Sequence, residues 1–595
     1  MPFIFSLIFI VFFPSFAFAD EPYTLEKIIV RPAGDSVTEA SLKNNYSVET
    51  FGASDIKEKN LNSLADLLDY VSGMDLRYRG SLGVQGDLSL RGSGFEQVAV
   101  LIDGVKVTDP QTGHHNLDIP LTLFDVEKIE VIKEGISSLY GAGAFAGSVN
   151  IITRKPTKKV LNLDALFGEH ALFGQTVSFS LPEKDFNARI SFDHKVSKAA
   201  RPNTDFEYKT ASLYVNRAWD KADLDTLFGY QKKDFGADSF YSNLYPEEEE
   251  HTETLFLRTG LDYKLEPGSL KDNLFFRKHR DKFILRRNNP TSVNYHTTYV
   301  YGFDSELRLP VKYGDLLSGI YTGRDEINST NLGKHARLYE AASFGFIPHL
   351  PDRLSADARI RLDHYQKWGF QESYNFGLGY GVTQGLRIKG SIGRAFRIPS
   401  FTELYYSDPG NKGNPNLGIE KSDNFRLGMD FRKGPFFLSL DGFLRRGRNL
   451  IDWTRQSQTD PWQATDLGKV DFSGIEFNLK LKPHLNFSYN YAHADKKASG
   501  FFSKYALDIL KHQYALDIYS AILGVNFNWQ LSYNQRYYGE TYFVGSLYIG
   551  KKIINKDYSL EPFLRIDNFS DTKYTEISGV PQPGRWIKSG LKFEW

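Results

Sequence analysis

The stretch LSLRGSGFEQVAVLIDGVKVTDPQTGHHNLDIPLTLFDVEKIEVIKEGISSLYGAGAFAGSVNIITRKP, from Leu88 to Pro156, decides the fold. It holds three runs of β-branched and apolar residues: Val98–Ile102, Ile129–Ile132 and Val149–Thr153. Glycine-rich turns separate them at Arg91-Gly92-Ser93-Gly94, at Asp103-Gly104 and from Gly141 to Gly147. Short strands punctuated in this way predict a compact mixed domain, not a long helix. Asp103-Gly104, between Val100-Leu101-Ile102 and Val105-Lys106-Val107, is a strong hairpin turn signal.

The same stretch resembles the plug domain of TonB-dependent outer-membrane receptors. The residues that carry the resemblance are Leu90-Arg91-Gly92, Val100-Leu101-Ile102-Asp103-Gly104-Val105, Ile129-Glu130-Val131-Ile132, Leu139-Tyr140-Gly141 and Gly147-Ser148-Val149-Asn150-Ile151-Ile152-Thr153. Arg91, Gly92, Asp103, Gly104, Tyr140, Gly141 and Asn150 form the plug signature. The family usually has Arg-Gly-Pro after the Ile-Glu-Val-Ile run; here Lys133-Glu134-Gly135 follows.

Working outward, Met1–Ala19 is almost wholly apolar and ends Ala17-Phe18-Ala19 before Asp20. A short apolar region with a small-x-small end predicts a signal peptide, although the positive start is missing. An uncleaved anchor helix is the competing reading. Residues 20–40 then form a polar segment, and the resemblance makes Thr24, Leu25, Glu26, Lys27, Ile28, Ile29 and Val30 a TonB box. Ile28-Ile29-Val30 has the β-propensity that strand addition to a partner's sheet requires. The plug is expected over 41–156. Inside it, apolar residues at Leu61, Leu64, Leu67, Leu68 and Val71 predict a helix, capped by Asn62 or Ser63 and stopped by Gly73.

From Thr157 to Trp595 the texture changes. Leu161, Leu163, Ala165 and Phe167 alternate with polar neighbours. Ile475, Phe477, Leu479 and Leu481 do the same, and after a turn at Lys482-Pro483-His484 so do Leu485, Phe487, Tyr489 and Tyr491. This period belongs to strands with one apolar and one polar face. About 22 such segments can be marked, an even number, as bacterial barrels have. The expected fold is mainly β: a 22-stranded antiparallel transmembrane β-barrel over 157–595, with the N-terminal α+β plug inside its lumen. A closed barrel satisfies every backbone hydrogen bond in lipid, and one so wide needs a plug.

Composition agrees. Aromatic residues make up 15% of the chain, with 34 Tyr and 46 Phe, as expected for rings at membrane interfaces, a bias that a soluble β-sandwich array would share. Cysteine is absent, which excludes disulfides and thiolate metal sites. Lys+Arg and Asp+Glu both number 72, which argues against a nucleic-acid partner.

The resemblance implies that plug loops meet a ligand. Arg77–Gly86 and Asp109–Asp118 are the plug loops in question, supplying Tyr78, Arg79, Gln85, Gln111, His114, His115 and Asn116 as ligand-binding candidates. His114 and His115, read as an exposed pair, are candidates for metal ligation or for hydrogen bonding alone; no carboxylate cluster close in sequence completes a metal site. Gly236–Thr252 reads as an outer loop with Tyr241, and its run Glu247–Glu250 as a solvated tip, with a calcium site as the alternative reading. Phe396–Lys421 reads as another, with Tyr405 and Tyr406. There, Phe396-Arg397-Ile398-Pro399 and Asn414-Pro415-Asn416-Leu417 resemble paired motifs of the family that are prominent in haem receptors, but no histidine lies between them. At the C-terminus Ile566–Tyr574 resembles the penultimate-strand signature, and Gly590, Phe593 and Trp595 the barrel-assembly signal.

The implied function is energised import across the outer membrane of a Gram-negative bacterium. The expected partners are TonB with its inner-membrane energising complex, the barrel-assembly machinery, outer-membrane lipid and a small-molecule ligand; a monomer without resident cofactor is expected. The ligand ranking is cobalamin or another corrinoid, then a ferric siderophore, then haem. A passive porin would need neither plug nor TonB box. An enzyme is disfavoured because no Gly-x-Ser-x-Gly elbow, His-Glu-x-x-His helix or phosphate loop is found.

Overall fold

The computed structural model describes residues 36–198, 200–241, 244–496 and 500–595. The signal-peptide segment and the TonB box Thr24–Val30 lie outside the described residues.

The barrel is closed and antiparallel. It has 22 strands, counting Thr541–Gly550 and Ile553–Ile554, which share one neighbour, as a single interrupted strand. The last strand, Trp586–Glu594, pairs with the first, Val160–Gly168, so no sheet edge faces lipid. Trp595 extends that seam through paired backbone bonds with Leu161 at 2.8 and 2.9 Å. Gly590 is required there, because a Cβ would lie 2.2 Å from the Ala165 carbonyl oxygen. The alternation of the sequence becomes alternation of exposure. Ile190, Leu274, Ile320, Phe344, Leu378 and Leu427 stand outward with large exposed surfaces, as lipid-facing residues do. Between them, polar residues such as Arg189, Arg277, His279, Ser373 and Glu476 are buried against the plug.

The plug is built on a five-stranded sheet. In chain order its strands are β1 (Val48–Gly52), then β4 (Val98–Ile102), β5 (Val105–Lys106), β6 (Val126–Ile132) and β7 (Gly147–Thr153), with the separate ribbon β2 (Met74–Tyr78) and β3 (Gly86–Leu90) between β1 and β4. The spatial order is β1-β6-β7-β4-β5, with β4 and β7 parallel and the other pairs antiparallel. The Asp103-Gly104 hairpin forms as expected: Ile102 pairs with Val105, and both turn residues have positive φ, 50° and 84°. Asp103 then accepts bonds from Thr153 N and Oγ1, both 2.8 Å, while Asn150 accepts from Gly104 N at 3.0 Å. The signature residues thus lock the sheet's turns together.

The expected helix over Leu61–Val71 is shorter, Leu64–Leu68. Ser63 caps it by accepting from Asp66 N, and Gly73 turns the chain at φ 77°. A further helix, Ser36–Asn45, packs against barrel strands Leu354–Tyr365 and Gly369–Gly381. Lys133-Glu134-Gly135 also acquires a reason. Lys133 pairs with Glu49 at 2.9 Å, Glu134 accepts from Ser47 N at 2.7 Å, and a Cβ on Gly135 would lie 2.6 Å from the Phe145 carbonyl oxygen.

Two features depart from the sequence reading. The run Glu247–Glu250 is not a solvated tip: Glu248 and Glu250 are each 1% exposed, because strand Glu249–Leu265 begins inside the run and turns every second residue into the lumen. The outer loops also carry their own four-stranded sheet, Asn411–Lys412, Trp462–Asp466, Ile451–Arg455 and Phe502–Ser503. Its strands are too short to announce themselves by alternation.

Candidate ligand-binding site

The plug loop Asp109–Asp118 rises from β5 and is closed on itself. Asp109 N donates to Asn116 Oδ1 at 3.0 Å, and Asp109 Oδ1 accepts from Gln111 N at 2.8 Å. The loop is bonded to the barrel wall at both acidic ends. Arg277 donates to Asp109 at 2.5 Å, and Lys233 to Asp118 at 2.8 Å. His279 sits between, 3.2 Å from Asp109 and 3.0 Å from Asp118. The plug loop is also bonded to an outer loop: Phe401 N and Thr402 N donate to the carbonyls of Pro110 and Gln111 at 2.9 and 3.0 Å. Those donors open the helix Phe401–Tyr405, which Ser400 caps through Glu403 N. Ligand contact on the outer loop would therefore reach the plug through two backbone bonds.

The two histidines are not an exposed pair. His115 is buried at 2% exposure, and only His114 reaches the loop's surface. His114 stacks on Phe95 with centroids 4.4 Å apart, and Tyr505 and Tyr241 stand 6.1 and 5.8 Å away. Its Nδ1 is held by Asp87 at 2.6 Å, and Asp87 in turn takes a bond from Arg79 at 2.7 Å. Gly113 permits the stack, since a Cβ would lie 2.8 Å from the Phe95 ring. Arg79 is buried beneath Tyr241, bonded to the Phe240 carbonyl, and Gln85 bonds the Tyr241 hydroxyl at 2.8 Å.

Arg79, Gln85, Gln111, His114, His115 and Tyr241 are thus drawn into one neighbourhood, while Asn116 is committed to closing its own loop. Tyr78 is directed elsewhere: its hydroxyl meets Asp69 at 2.8 Å. Tyr405 and Tyr406 belong to an aromatic wall above the plug loop. Tyr405 stacks on His335 at 3.6 Å, and Tyr406 meets Trp453 at 6.5 Å. Trp368, Trp462 and Tyr505 border the same cluster. Phe95, Tyr505 and the tryptophans were not singled out by sequence; rings scattered over hundreds of residues give no local pattern.

The paired motifs resolve into structure. Arg397 makes a two-pronged bond to Glu403 at 2.8 and 2.9 Å and a third to Glu420 at 2.6 Å; Glu420 also accepts from plug Gln97 at 2.9 Å. They form a buried clamp of barrel, outer loop and plug, with no need of a haem ligand.

A family model described as the TonB-dependent receptor plug domain matches residues 41–148, and one described as the TonB-dependent receptor-like β-barrel matches residues 162–569. The chain belongs to the TonB-dependent receptors. This receptor is accordingly an outer-membrane β-barrel protein of a transporter family. It is 24% identical to the vitamin B12 transporter BtuB of Vibrio cholerae serotype O1 over 629 aligned residues, covering 97% of each chain. With the BtuB of Vibrio vulnificus it shares 23% over 484 residues, 78% of this chain and 76% of that one. Solved structures with the same fold include the siderophore receptor PirA of Pseudomonas aeruginosa, TM-score 0.73 at 19% identity, covering 92% of this chain and 99% of that one. The copper transporter OprC has TM-score 0.78 at 14% identity, covering 92% and 98%. At such identities the structures speak for the fold alone.

Proposed function

We propose that this receptor imports cobalamin or another corrinoid into the periplasm, using energy delivered by TonB to the segment Thr24–Val30. The observation that carries the reading is one aromatic neighbourhood, which we take as the ligand chamber. Tyr505, which borders the aromatic wall of the outer loops, meets both rings of the plug's Phe95–His114 stack, and backbone bonds tie Phe401 and Thr402 to the plug loop. A ligand with a broad ring face would touch both and bias the plug's resting state. The full-length similarity to vitamin B12 transporters supports a corrinoid over a siderophore. A cavity of about 90 Å³ lies between the plug's Leu61–Ala65 region and the wall, far below the ~300–1,000 Å³ that small-molecule sites occupy. Passage of a ligand by that route would need the plug to move. No ligand bond is broken; the activity is transport. Titration of the purified receptor with cobalamin, a ferric catecholate siderophore and haem tests the ranking: cobalamin should bind tightest, and tighter binding of either rival would replace it.

A further inference from the structure

A second constellation lies beneath the chamber floor. The ring of His115 points its Nε2 at two carboxylates of the barrel wall, 3.5 Å from Asp281 Oδ2 and 3.9 Å from Glu250 Oε1. These separations sit at or beyond the range of hydrogen bonds. They are close to the edge of a ligand tetrahedron: donors about 2.1 Å from one metal ion lie about 3.4 Å apart. Glu250 and Asp281 come from adjacent strands, Glu249–Leu265 and Gly268–Ile284; Asp281 is paired with Thr252, two positions from Glu250 on the same inward face.

The charges are unbalanced there. Glu250 and Asp281 are 1% and 5% exposed, and among the described residues neither forms an ion pair with a lysine or arginine. Glu250 accepts from the Tyr241 hydroxyl at 2.7 Å, and a protonated His115 would offset at most one of the two charges, leaving the other buried carboxylate without a cation, which is costly. Two oxygens at the same place are also without a hydrogen-bond partner among the described residues, Asp281 Oδ1 and Gln111 Oε1. Gln111 is 5% exposed, and its amide nitrogen bonds Asp281 Oδ2 at 3.0 Å, which places its side-chain amide beside the cluster. The other side of the same ring is different. There His115 Nδ1 and His279 Nε2 approach Asp118, but the Lys233 ammonium already holds that carboxylate at 2.8 Å. A metal ion at Asp118 would face that positive charge.

We propose that His115 Nε2, Glu250 and Asp281, with Gln111 Oε1 as a further donor, form a divalent metal site that staples the plug loop to the barrel wall. One imidazole with carboxylate and carbonyl oxygens suits a borderline first-row cation such as Zn²⁺. The site joins two residues of the plug to two of the barrel, so an occupied site opposes movement of the loop that carries His114. It is a resident ion beneath the floor, distinct from the ligand in the chamber.

The test is Zn²⁺ titration of full-length receptor in detergent, first stripped by a chelator, with metal content measured on the same samples. The wild type should bind one equivalent at the site. The E250Q/D281N double variant and His115→Ala should each weaken binding by about 100-fold or more, the upper end of what losing a ligand's own hydrogen-bond partner costs. Asp118→Asn, which keeps an acceptor beside the distal Nδ1 of His115, should weaken Zn²⁺ binding by no more than about 10-fold, the lower end of that range. Heat-modifiable migration on gels establishes that each variant is a folded barrel. Absence of Zn²⁺ binding to folded wild type overturns the proposal. So does binding that survives E250Q/D281N, or binding that Asp118→Asn abolishes.

Discussion

Arg91 of the plug and Glu476 of the barrel wall form a two-pronged ion pair, 2.8 and 2.9 Å long, with side chains 1% and 0% exposed. Arg91 also donates to the Lys133 carbonyl at 2.6 Å and lies over the Phe443 ring, while Lys133 approaches Glu476 at 3.5 Å. The Arg of the plug signature is thus one of the plug's anchors to the wall.

Removing one member of a buried pair strands the other. Arg91→Ala or Glu476→Gln should each destabilise the seated plug by about 3–5 kcal/mol, whereas a paired R91M/E476M replacement should recover most of that loss. Limited proteolysis of the plug and its thermal transition in detergent measure the effect. Equal stability of Arg91→Ala and wild type would remove the pair from plug anchoring.

Acid should loosen the same contact zone. Burial raises the pKa of Glu49, but Lys133 and Lys480, at 2.9 and 3.1 Å, outweigh it and hold the carboxyl at about 2 instead of 4.5. A depressed folded pKa contributes stability that is fully present above pH 4.5 and is lost as pH falls toward 2. The plug's melting temperature should therefore fall between those values, and Glu49→Gln should flatten that part of the profile while lowering stability at neutral pH. Identical profiles for the two proteins would contradict the assignment.

His114 and His115 should separate in binding assays. On the proposed reading His114 would contact ligand by stacking or one hydrogen bond, so His114→Ala should weaken cobalamin binding about two- to tenfold, the worth of a neutral hydrogen bond. His115 is buried below the floor; its removal should act through the loop and through metal content. If haem were the cargo, His114→Ala would instead change the haem absorption spectrum, and tight haem binding would reverse the ligand ranking.

Much of this architecture was legible because it is local. Asp103-Gly104 sets a hairpin whatever surrounds it, and alternation such as Leu161 to Phe167 records which face of a strand meets lipid. The buried electrostatics were not local. His115 meets Asp281 more than 160 residues away, across a lumen whose inner face the sequence marks only by parity. That parity was a usable signal: Arg277, His279 and Asp281 share the inward set on their strand, as Glu250, Thr252 and Thr254 do on the next. What sequence could not supply was the rotation of the plug that brings its loop opposite these particular strands. Glu250 was misread for a related reason, since a run of four glutamates looks solvated until a strand begins within it.

Cobalamin uptake by a strain lacking its own transporter, complemented with this receptor or with its Ile28→Pro variant, tests the central claim most directly. Proline removes a backbone donor and fixes φ, so pairing with TonB should fail while the chamber stays intact. The account predicts that wild-type cells bind and accumulate cobalamin and that Ile28→Pro cells bind it at the surface without accumulating it. Full uptake by the variant, or no cobalamin bound by folded wild-type receptor, would contradict it.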